Sequence, residues 1–377
     1  MKAALLSEES EIGAIEDEWR AFAELRGCAF VTPEWFRCWS RHRPDSATPL
    51  VAAARRADGS LGGVLPLIFD AARRPRAIRF AGAAHGDRFL PAARPEDEVE
   101  VAAAAMSALR QAGYGRYMLA LNHVDADADW WREMASATRP AAAITEQQRS
   151  QMAYLELGAF DDWEAYLASR SRNFRQQVRR FDRALRRQHE VQVRDSTEAT
   201  LAADISRVFE LHLRRWRLHG DSSLAKPQTR SFLRSFAEDA QRRGWLRLRL
   251  LEVDGAPVAG FFGWRVGGSY AFYQSGFDPD WAKRKVGFVL LAATVRSALE
   301  EGAEEFDMLL GEEEYKTRFT NATRTIETVI VTRPRSPTHA LVAGGALARR
   351  YGRRLAARPA LGSVARAVRR VWPARDS

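Results

Sequence analysis

The most informative stretch of the sequence runs from residue 270 to residue 316. It opens with the strand-like run Tyr270-Ala271-Phe272-Tyr273-Gln274-Ser275-Gly276 and continues through a basic loop, Lys283-Arg284-Lys285-Val286-Gly287. The next run, Phe288–Glu301, has the hydrophobic period of a helix, and Glu305–Leu310 reads as a second strand. A strand, a helix and a further strand in this order predict an α/β or α+β fold.

The basic loop has the composition of an anion-binding site at the start of a helix. The first N–H groups of a helix have no partner within it, and the helix dipole favours negative charge there. Gly287 adds room for a ligand to approach the backbone. A solvated loop with a turn glycine is the alternative, and the spacing alone does not separate the two interpretations.

Outside this stretch, hydrophobic period predicts further helices and strands. The predicted helices are Ile12–Leu25, Pro33–Trp39, Glu98–Gln111, Asp161–Gln188, Leu201–Arg217 and Thr229–Arg243. The predicted strands are Leu50–Ala54, Gly63–Phe69, Ala77–Gly82, Tyr117–Leu121, Ala153–Leu157, Leu246–Val253 and Ala256–Val266.

The order of elements in the first half repeats in the second. Three pairs of segments match in order and in type of element: Asp58-Gly59 with Asp254-Gly255, Ser107-Ala108-Leu109 with Ser297-Ala298-Leu299, and Met118-Leu119 with Met308-Leu309. The two Asp-Gly pairs are strong hairpin signals. The agreement predicts a duplicated domain.

Several segments resemble a known family. The loop Arg284-Lys285-Val286-Gly287-Phe288-Val289 resembles the acyl-coenzyme A binding motif of the GNAT N-acyltransferases, Arg/Gln-x-x-Gly-x-Gly/Ala. Arg284 and Gly287 match that motif, whereas Val289 stands where the motif has a small residue. Residues 160–320 resemble the GNAT-like domain of the FemAB-like and cellulose-biosynthesis CelD-type acyltransferases, through Ser171–Arg175, Leu211–Trp216, Ser275–Pro279 and Phe306–Lys316.

The resemblance implies tandem GNAT-like domains, each a mixed, mostly antiparallel sheet flanked by helices. The expected division is an N-terminal half, 1–158, that supports the site or forms its acceptor side, an acyltransferase half, 159–332, and a basic tail, 333–377. The junction Phe89–Glu98 of the first half has two prolines, acidic residues and no glycine. We therefore expect one donor site, in which Arg284, Lys285, Val286, Gly287, Phe288 and Val289 bind acetyl-CoA or another acyl-CoA as a substrate.

Acylation of an amine by a thioester requires a neutral amine, a stabilised carbonyl oxygen and an acid for the departing thiolate. Tyr315 is the candidate acid, and Glu312 or Glu314 is the candidate base. Asp307 is a further candidate, because a carboxylate inside a strand needs a partner. The alternatives are that the glutamates are solvated and that Tyr315 only packs.

Six residues are candidates for contact with the substrate: Lys316, Arg172, Arg175, His212, Trp216 and Gln274. Arg172 and Arg175 belong to an arginine-rich helix whose apolar stripe, Phe174, Val178, Phe181 and Leu185, is expected to face the core. A solvated basic face is the alternative for these arginines. The histidines show no metal-ligand spacing, and we expect no metal.

The net charge of +10 arises from 58 basic and 48 acidic side chains. Beyond Thr332 the chain holds eleven arginines and one acid, so residues 1–332 are balanced. This argues against nucleic-acid binding by the body of the protein. In the tail, residues 338–372 predict an amphipathic helix that contacts an anionic membrane surface; a disordered tail and a helix packed on the body are the alternatives.

Two cysteines, Cys28 and Cys38, exclude a disulfide framework, and no run is long enough to span a membrane. We expect a cytoplasmic protein, with peripheral contact at the inner face of the cell membrane. The expected function is transfer of an acyl group from acyl-CoA to an amine of a sugar, peptide or small metabolite, in envelope or exopolysaccharide biosynthesis. Acetyl is the acyl group that we expect. Two alternatives stay open: an aminoacyl-tRNA-dependent peptidyltransferase of FemAB type, and a non-catalytic accessory of polysaccharide synthesis at the membrane surface.

Overall fold

The computed structural model describes residues 1–72, 74–137, 143–216, 222–311 and 313–356, with the backbone alone for 347–356. The strands are β1 (Lys2–Leu6), β2 (Ala47–Arg55), β3 (Leu61–Asp70), β4 (Ala77–Phe80), β5 (Ala92–Ala93), β6 (Met118–Asp125), β7 (Ala143–Glu156), β8 (Val191–Asp195), β9 (Leu246–Val253), β10 (Ala256–Val266), β11 (Ser269–Phe277), β12 (Glu305–Asp307) and β13 (Ala322–Thr332).

The α-helices are α1 (Glu9–Gly13), α2 (Glu16–Leu25), α3 (Pro33–His42), α4 (Glu98–Gln111), α5 (Asp129–Ser136), α6 (Trp163–Ser169), α7 (Arg172–Arg186), α8 (Leu201–Trp216), α9 (Pro227–Arg242), α10 (Val286–Glu300), α11 (Glu314–Phe319) and α12 (Pro337–Ala356). The mixed α/β class expected from the sequence is confirmed.

The chain divides into two compact units. Unit 1 holds Met1–Trp19, Arg43–Ser150 and the chain from Ile326 onward, and unit 2 holds Arg20–His42 and Gln151–Thr325. This division differs from the expected halves 1–158 and 159–332. Arg20–His42, from the first half of the sequence, belongs to unit 2, and the chain from Ile326, in the second half, belongs to unit 1.

The two units share one strand order. In unit 1, β1, β2, β3 and β4 pair antiparallel, α4 crosses over, β6 lies parallel to β4, and β13 pairs antiparallel with β6. In unit 2, β8 to β11 pair antiparallel, α10 crosses over, β12 lies parallel to β11, and the end of β7 pairs antiparallel with β12. The expected tandem arrangement of two similar sheets, each mixed and mostly antiparallel, is therefore confirmed.

The last strand of each sheet explains where the units divide. β7 follows the first half in sequence, yet its residues Tyr154–Glu156 pair with β12 of unit 2. β13 follows the second half, yet its residues Ile326–Val331 pair with β6 of unit 1. Hydrophobic period predicts a strand but not its partner, so this exchange could not be read from the sequence.

A buried aromatic cluster explains why Arg20–His42 belongs to unit 2. The ring of Trp35, on α3, packs edge-on against Phe232 and Phe236 of α9, with centroid distances of 4.8 and 4.9 Å. Trp264 and Tyr273, on the sheet, complete the cluster at 6.2 and 6.5 Å. Aromatic side chains of this size bury about 150–250 Å² each, which makes the cluster a large contribution to the packing of α3.

Most predicted elements are present within a few residues of their expected ends. Two predicted helices are each broken in two: Ile12–Leu25 into α1 and α2, and Asp161–Gln188 into α6 and α7. The strands β1, β5, β8 and β13 and the helices α5 and α11 were not predicted. The apolar stripe of α7 packs on the core of unit 2, as expected.

The start of the tail packs on the protein. Val342 of α12 is buried with Ala77, Met118 and Ala120 in unit 1, so Pro334 and Pro337 do not end the folded body. The rest of the predicted amphipathic helix, from residue 357, lies outside the described residues. None of the helices within the described ranges combines the length and the apolar character that a membrane crossing requires.

Gly276 tests how closely α8 packs on β11. A Cβ at this position would overlap the backbone nitrogen of His212, an atom that cannot move without the helix. We expect Gly276→Ala to lower the free energy of unfolding by about 3 kcal/mol, at the upper end of the cost of overpacking. The matched control is Gly158→Ala, whose Cβ would meet only ordinary contact at 3.8 Å. Equal denaturation midpoints for the two variants would contradict this packing.

Candidate functional site

Two parallel strands of unit 2 separate and leave an open strand edge. β11 pairs with β12 only where Ser269, Tyr270 and Ala271 face residues 305–307. β12 then ends, while β11 continues to Phe277. The residues of β11 beyond Ala271 therefore have no partner in β12, and we call the open edge that they form the wedge.

A short loop after β12 turns the chain out of the sheet. Leu309 and Gly311 have positive φ angles of 54° and 126°. The Oδ1 atom of the buried Asp307 accepts a hydrogen bond from the backbone nitrogen of Leu309 at 2.7 Å. The Nζ atom of the buried Lys316 donates to the carbonyl oxygen of Leu310 at 2.7 Å and pairs with Glu313 at 3.0 Å. Asp307 and Lys316 thus hold the loop that opens the wedge.

A bulge in β11 changes the direction of its backbone within the wedge. Phe272 pairs with Gly263 and Gln274 pairs with Phe262, so the register of the pairing shifts by one residue at Tyr273. A bulge of this kind bends the strand and redirects the backbone groups beside it. After the bulge, Gln274 is partly buried on the open part of β11.

Tyr315 lies at the wedge. Its ring contacts Phe272, with centroids 6.4 Å apart, and Arg215 and Ser275 lie near its hydroxyl group. The guanidinium of Arg215 lies 5.9 Å from the Tyr315 ring and 5.3 Å from the Phe277 ring. Burial raises the pKa of Tyr315 to about 12, and the negative charge of Glu313 adds to this, while Arg215 opposes it. Tyr315 is therefore protonated at neutral pH, as a proton donor must be.

His212 links three elements behind the wedge. Its Nδ1 atom lies 2.9 Å from the carbonyl oxygen of Ser275, and its Nε2 atom lies 2.9 Å from the hydroxyl oxygen of Ser222. Because a carbonyl only accepts, Nδ1 carries the proton and Nε2 accepts from Ser222. Burial lowers the pKa of His212 to about 4. The imidazole stacks on Trp216 with centroids 5.7 Å apart.

The basic loop leads into α10 as the sequence predicts. Lys285 has φ 58° at the N-cap, and no side chain caps the helix. Arg284 and Lys285 are exposed, and the Arg284 guanidinium lies 4.7 Å from the Trp281 ring. The first N–H groups of α10 are thus left to solvent or to a ligand. A Cβ on Gly287 would lie 3.0 Å from the Phe277 ring, so glycine fits this position.

The other three residues of the motif pack inward. Val286 and Val289 are buried, and Phe288 contacts Phe174, Phe181 and Phe319 in the core of unit 2. Their side chains stabilise the helix, which leaves only their backbone groups to contact a donor.

Three candidates remain among the described residues: one holds the fold, and two are exposed on the first turn of a helix. Arg175 donates to the carbonyl oxygens of Ala168 and Arg170 at 3.0 and 2.9 Å, which closes the end of α6. Arg172 is exposed on the first turn of α7, and Glu314 is exposed on the first turn of α11. Glu312 lies outside the described residues.

Sequence reasoning missed Arg215, Ser275 and Ser222 as members of the site. The signal for Arg215 was its spacing: His212, Arg215 and Trp216 are three and four residues apart, which places them on one face of α8. Together with Tyr315, this face supplies a cation, hydroxyl groups and aromatic rings around the open edge of β11.

The buried His212 should make stability depend on pH. Its pKa is 6.5 in an unfolded chain and about 4 in the folded protein, so between these values the unfolded state binds the extra proton. The free energy of unfolding should therefore fall by about 3 kcal/mol as the pH drops through this window. Denaturant titrations at pH 7 and pH 4 measure this loss. His212→Asn, which keeps a donor toward Ser275, should show a smaller loss; an equal loss would contradict the assignment.

Comparison with known protein families finds a match within the second half of the chain. A family model described as an acetyltransferase (GNAT) domain matches residues 172–317. No curated protein matches the chain significantly. The chain is similar to the crystal structure of FemX, with a TM-score of 0.65 at 11% identity, over 90% of this chain and 99% of that one.

Two further solved structures are similar over nearly the whole chain. One is the C-terminal domain of a protein assigned as a lysylphosphatidylglycerol synthetase from Agrobacterium fabrum, with a TM-score of 0.55 at 12% identity, covering 90% of this chain and 98% of that one. The other is L-PGS from Bacillus licheniformis, with a TM-score of 0.51 at 12% identity, covering 88% and 96%. At these identities the similarity concerns the fold. Residues 172–317 thus form a GNAT acetyltransferase domain, the chain has a fold similar to that of FemX, and the protein is an acyltransferase.

Proposed function

We propose that the protein transfers an acyl group, acetyl first among them, from acyl-CoA to an amine of a sugar, peptide or small metabolite. One observation carries this proposal: the open edge of β11 leads to the uncapped, basic N terminus of α10. The pyrophosphate of coenzyme A suits the helix terminus with Arg284 and Lys285. The amide groups of its pantetheine arm suit an unpaired strand edge, which binds extended amide chains by main-chain hydrogen bonds.

The chemistry then takes place beside Tyr315. The amine nitrogen attacks the thioester carbonyl carbon, the carbon–sulfur bond breaks, and the thiolate takes a proton from the Tyr315 hydroxyl group. The positive charge of Arg215, whose guanidinium lies 5.9 Å from the Tyr315 ring, stabilises negative charge as it develops at the site. Glu314, exposed at the start of α11, is the candidate acceptor of the proton that the amine loses.

Other members of the site position these groups. Asp307 and Lys316 fix the loop that carries Glu313 and leads into α11. His212 and Trp216 hold the end of α8, so that Arg215 points toward Ser275, at 3.5 Å. Gln274 and Arg172 are proposed contacts of the acceptor, and residues 338–372 of the tail are a proposed contact with the membrane surface. We propose that the reaction belongs to envelope or exopolysaccharide synthesis at the inner face of the cell membrane.

A second candidate is transfer of an aminoacyl group from tRNA, as in the FemAB type. The specific observation in its favour is the exposed basic face of α7, formed by Arg172, Arg179, Arg180, Arg183, Arg186 and Arg187. Some of this charge is neutralised locally, because Arg179 pairs with Glu164 at 2.6 Å and Arg186 with Asp182 at 2.9 Å. The similarity in fold to FemX and to a protein assigned as a lysylphosphatidylglycerol synthetase supports this candidate.

Calorimetric titration with acetyl-CoA separates the two donors. We expect binding in the micromolar range, weakened at least tenfold by Arg284→Glu, because a carboxylate there repels the pyrophosphate and replaces an exposed cation. Arg296→Glu is the matched control: it makes the same charge change on an exposed arginine further along α10. Absence of binding by acetyl-CoA and longer acyl forms, with binding of aminoacyl-tRNA, would favour the second candidate.

Tyr315→Phe tests the proton donor without removing its ring. We expect kcat to fall about 100-fold or more, the usual contribution of a positioned general acid, while acetyl-CoA binding is unchanged. Steady-state kinetics with an amine acceptor measure the first quantity and calorimetry the second. A variant with the kcat of the wild type would show that Tyr315 only packs.

A further inference from the structure

A second basic feature of unit 2 lies between α3 and α9. A cavity of about 480 Å³ is lined by Glu34, Arg37, Arg41, Asp239, Arg242 and Arg243. Its volume is in the range of small-molecule sites. Nothing in the proposed acyl transfer uses these residues.

The two acids are buried beneath the arginines and fix them in place. Glu34 is fully buried, and its Oε1 atom accepts from Arg20, Arg243 and Arg37 at 2.7, 3.0 and 3.3 Å. Asp239 is 4% exposed and accepts from Arg41 at 2.7 Å and from Arg242.

Cys38 lies at the base of this cluster and adds no charge. Its thiol donates to Asp239 at 3.3 Å, and burial, with the nearby carboxylate, raises its pKa, so it stays protonated. The charges at the cavity are therefore those of the arginines and acids alone.

The cavity has an excess of positive charge. Its lining holds four guanidinium groups against two carboxylates, a surplus of two. The buried Arg20 and the exposed Glu238, which faces Arg41, cancel each other. The surplus is accessible, because the side chains of Arg37 and Arg242 are 35% and 64% exposed. Neighbouring guanidinium groups repel one another, and a bound anion relieves that repulsion.

The cavity shares no lining residue with the acyl-transfer site. Its residues lie on α3 and at the end of α9, whereas His212 and Arg215 lie on α8 and Tyr315 lies on α11. The two sites occupy neighbouring parts of unit 2, because Trp35, next to Glu34 on α3, packs against Tyr273 of β11.

We propose that this cavity is a binding site for a small molecule that carries a phosphate monoester or pyrophosphate group. A dianionic phosphate matches the surplus of two charges, and the planar fork of arginine binds two phosphate oxygens at once. The buried carboxylates hold the guanidinium groups before the ligand arrives, which reduces the entropy that binding must overcome. This proposal does not depend on the acyl donor.

Calorimetry with inorganic pyrophosphate and with inorganic phosphate tests the site. The titrations use the Arg284→Glu protein at constant ionic strength, so that binding at the start of α10 is not counted. The test variant is Arg37→Gln with Arg242→Gln. In this variant Glu34 keeps Arg20 and Arg243, and Asp239 keeps Arg41 and Cys38, so neither buried acid is left alone. The control is Arg207→Gln with Arg296→Gln, which removes the same charge from exposed arginines elsewhere in unit 2.

We expect pyrophosphate to bind with an affinity that falls at least tenfold in the test variant and changes less than twofold in the control. Equal losses in both variants would show general charge attraction and overturn the proposal. So would the absence of binding at millimolar pyrophosphate, or binding of RNA that is lost in the test variant while neither phosphate probe binds.

Discussion

The candidate site depends on the place where β12 stops pairing with β11. Parallel pairing continues through Ala271 and Asp307, and the chain then has to leave the sheet in two residues. The turn is held by side chains that are costly to bury: a carboxylate at Asp307 and an ammonium group at Lys316. Each is satisfied by groups of the loop itself, which is the condition under which burying a charge is tolerated. These contacts hold the loop after β12 out of the sheet, and the edge of β11 beyond Ala271 is therefore left open.

Other features of unit 2 follow from this opening. The bulge at Tyr273 lies on the part of β11 that has lost its β12 partner, and the aromatic cluster of Trp35 packs on the same strand from α3. Gly276 allows α8 to approach until Arg215 reaches Ser275 and Tyr315. The glycine in β11 and the arginine on α8 therefore act together, because the close approach of the two backbones at Gly276 brings the charge of Arg215 to the open edge.

The sequence was sufficient for the architecture but not for the assignment of strands to units. The repeat of Asp-Gly hairpins and of the Ser-Ala-Leu helices predicted two similar sheets, because local period and turn chemistry are encoded locally. The exchange of β7 and β13 depends on pairing between distant segments, which leaves no local pattern. In the site, residue types were easier to predict than roles. Lys316 proved to hold a loop through Leu310, and Phe288 proved to pack in the core, because both depend on contacts that spacing does not reveal.

The charge balance of the body illustrates the same limit. Equal numbers of acids and bases over residues 1–332 argued against nucleic-acid binding by the body, yet balance over a chain does not imply balance at each surface. The acids Glu34 and Asp239 are buried beneath arginines, and each carboxylate pairs with several guanidinium groups. The solvent therefore meets the arginines rather than the acids. At the start of α10 the positive field has a different origin, since it combines exposed Arg284 and Lys285 with backbone N–H groups that composition does not count. A neutral body can therefore present two positive sites, because what a ligand meets is set by which charges are exposed and how they are held.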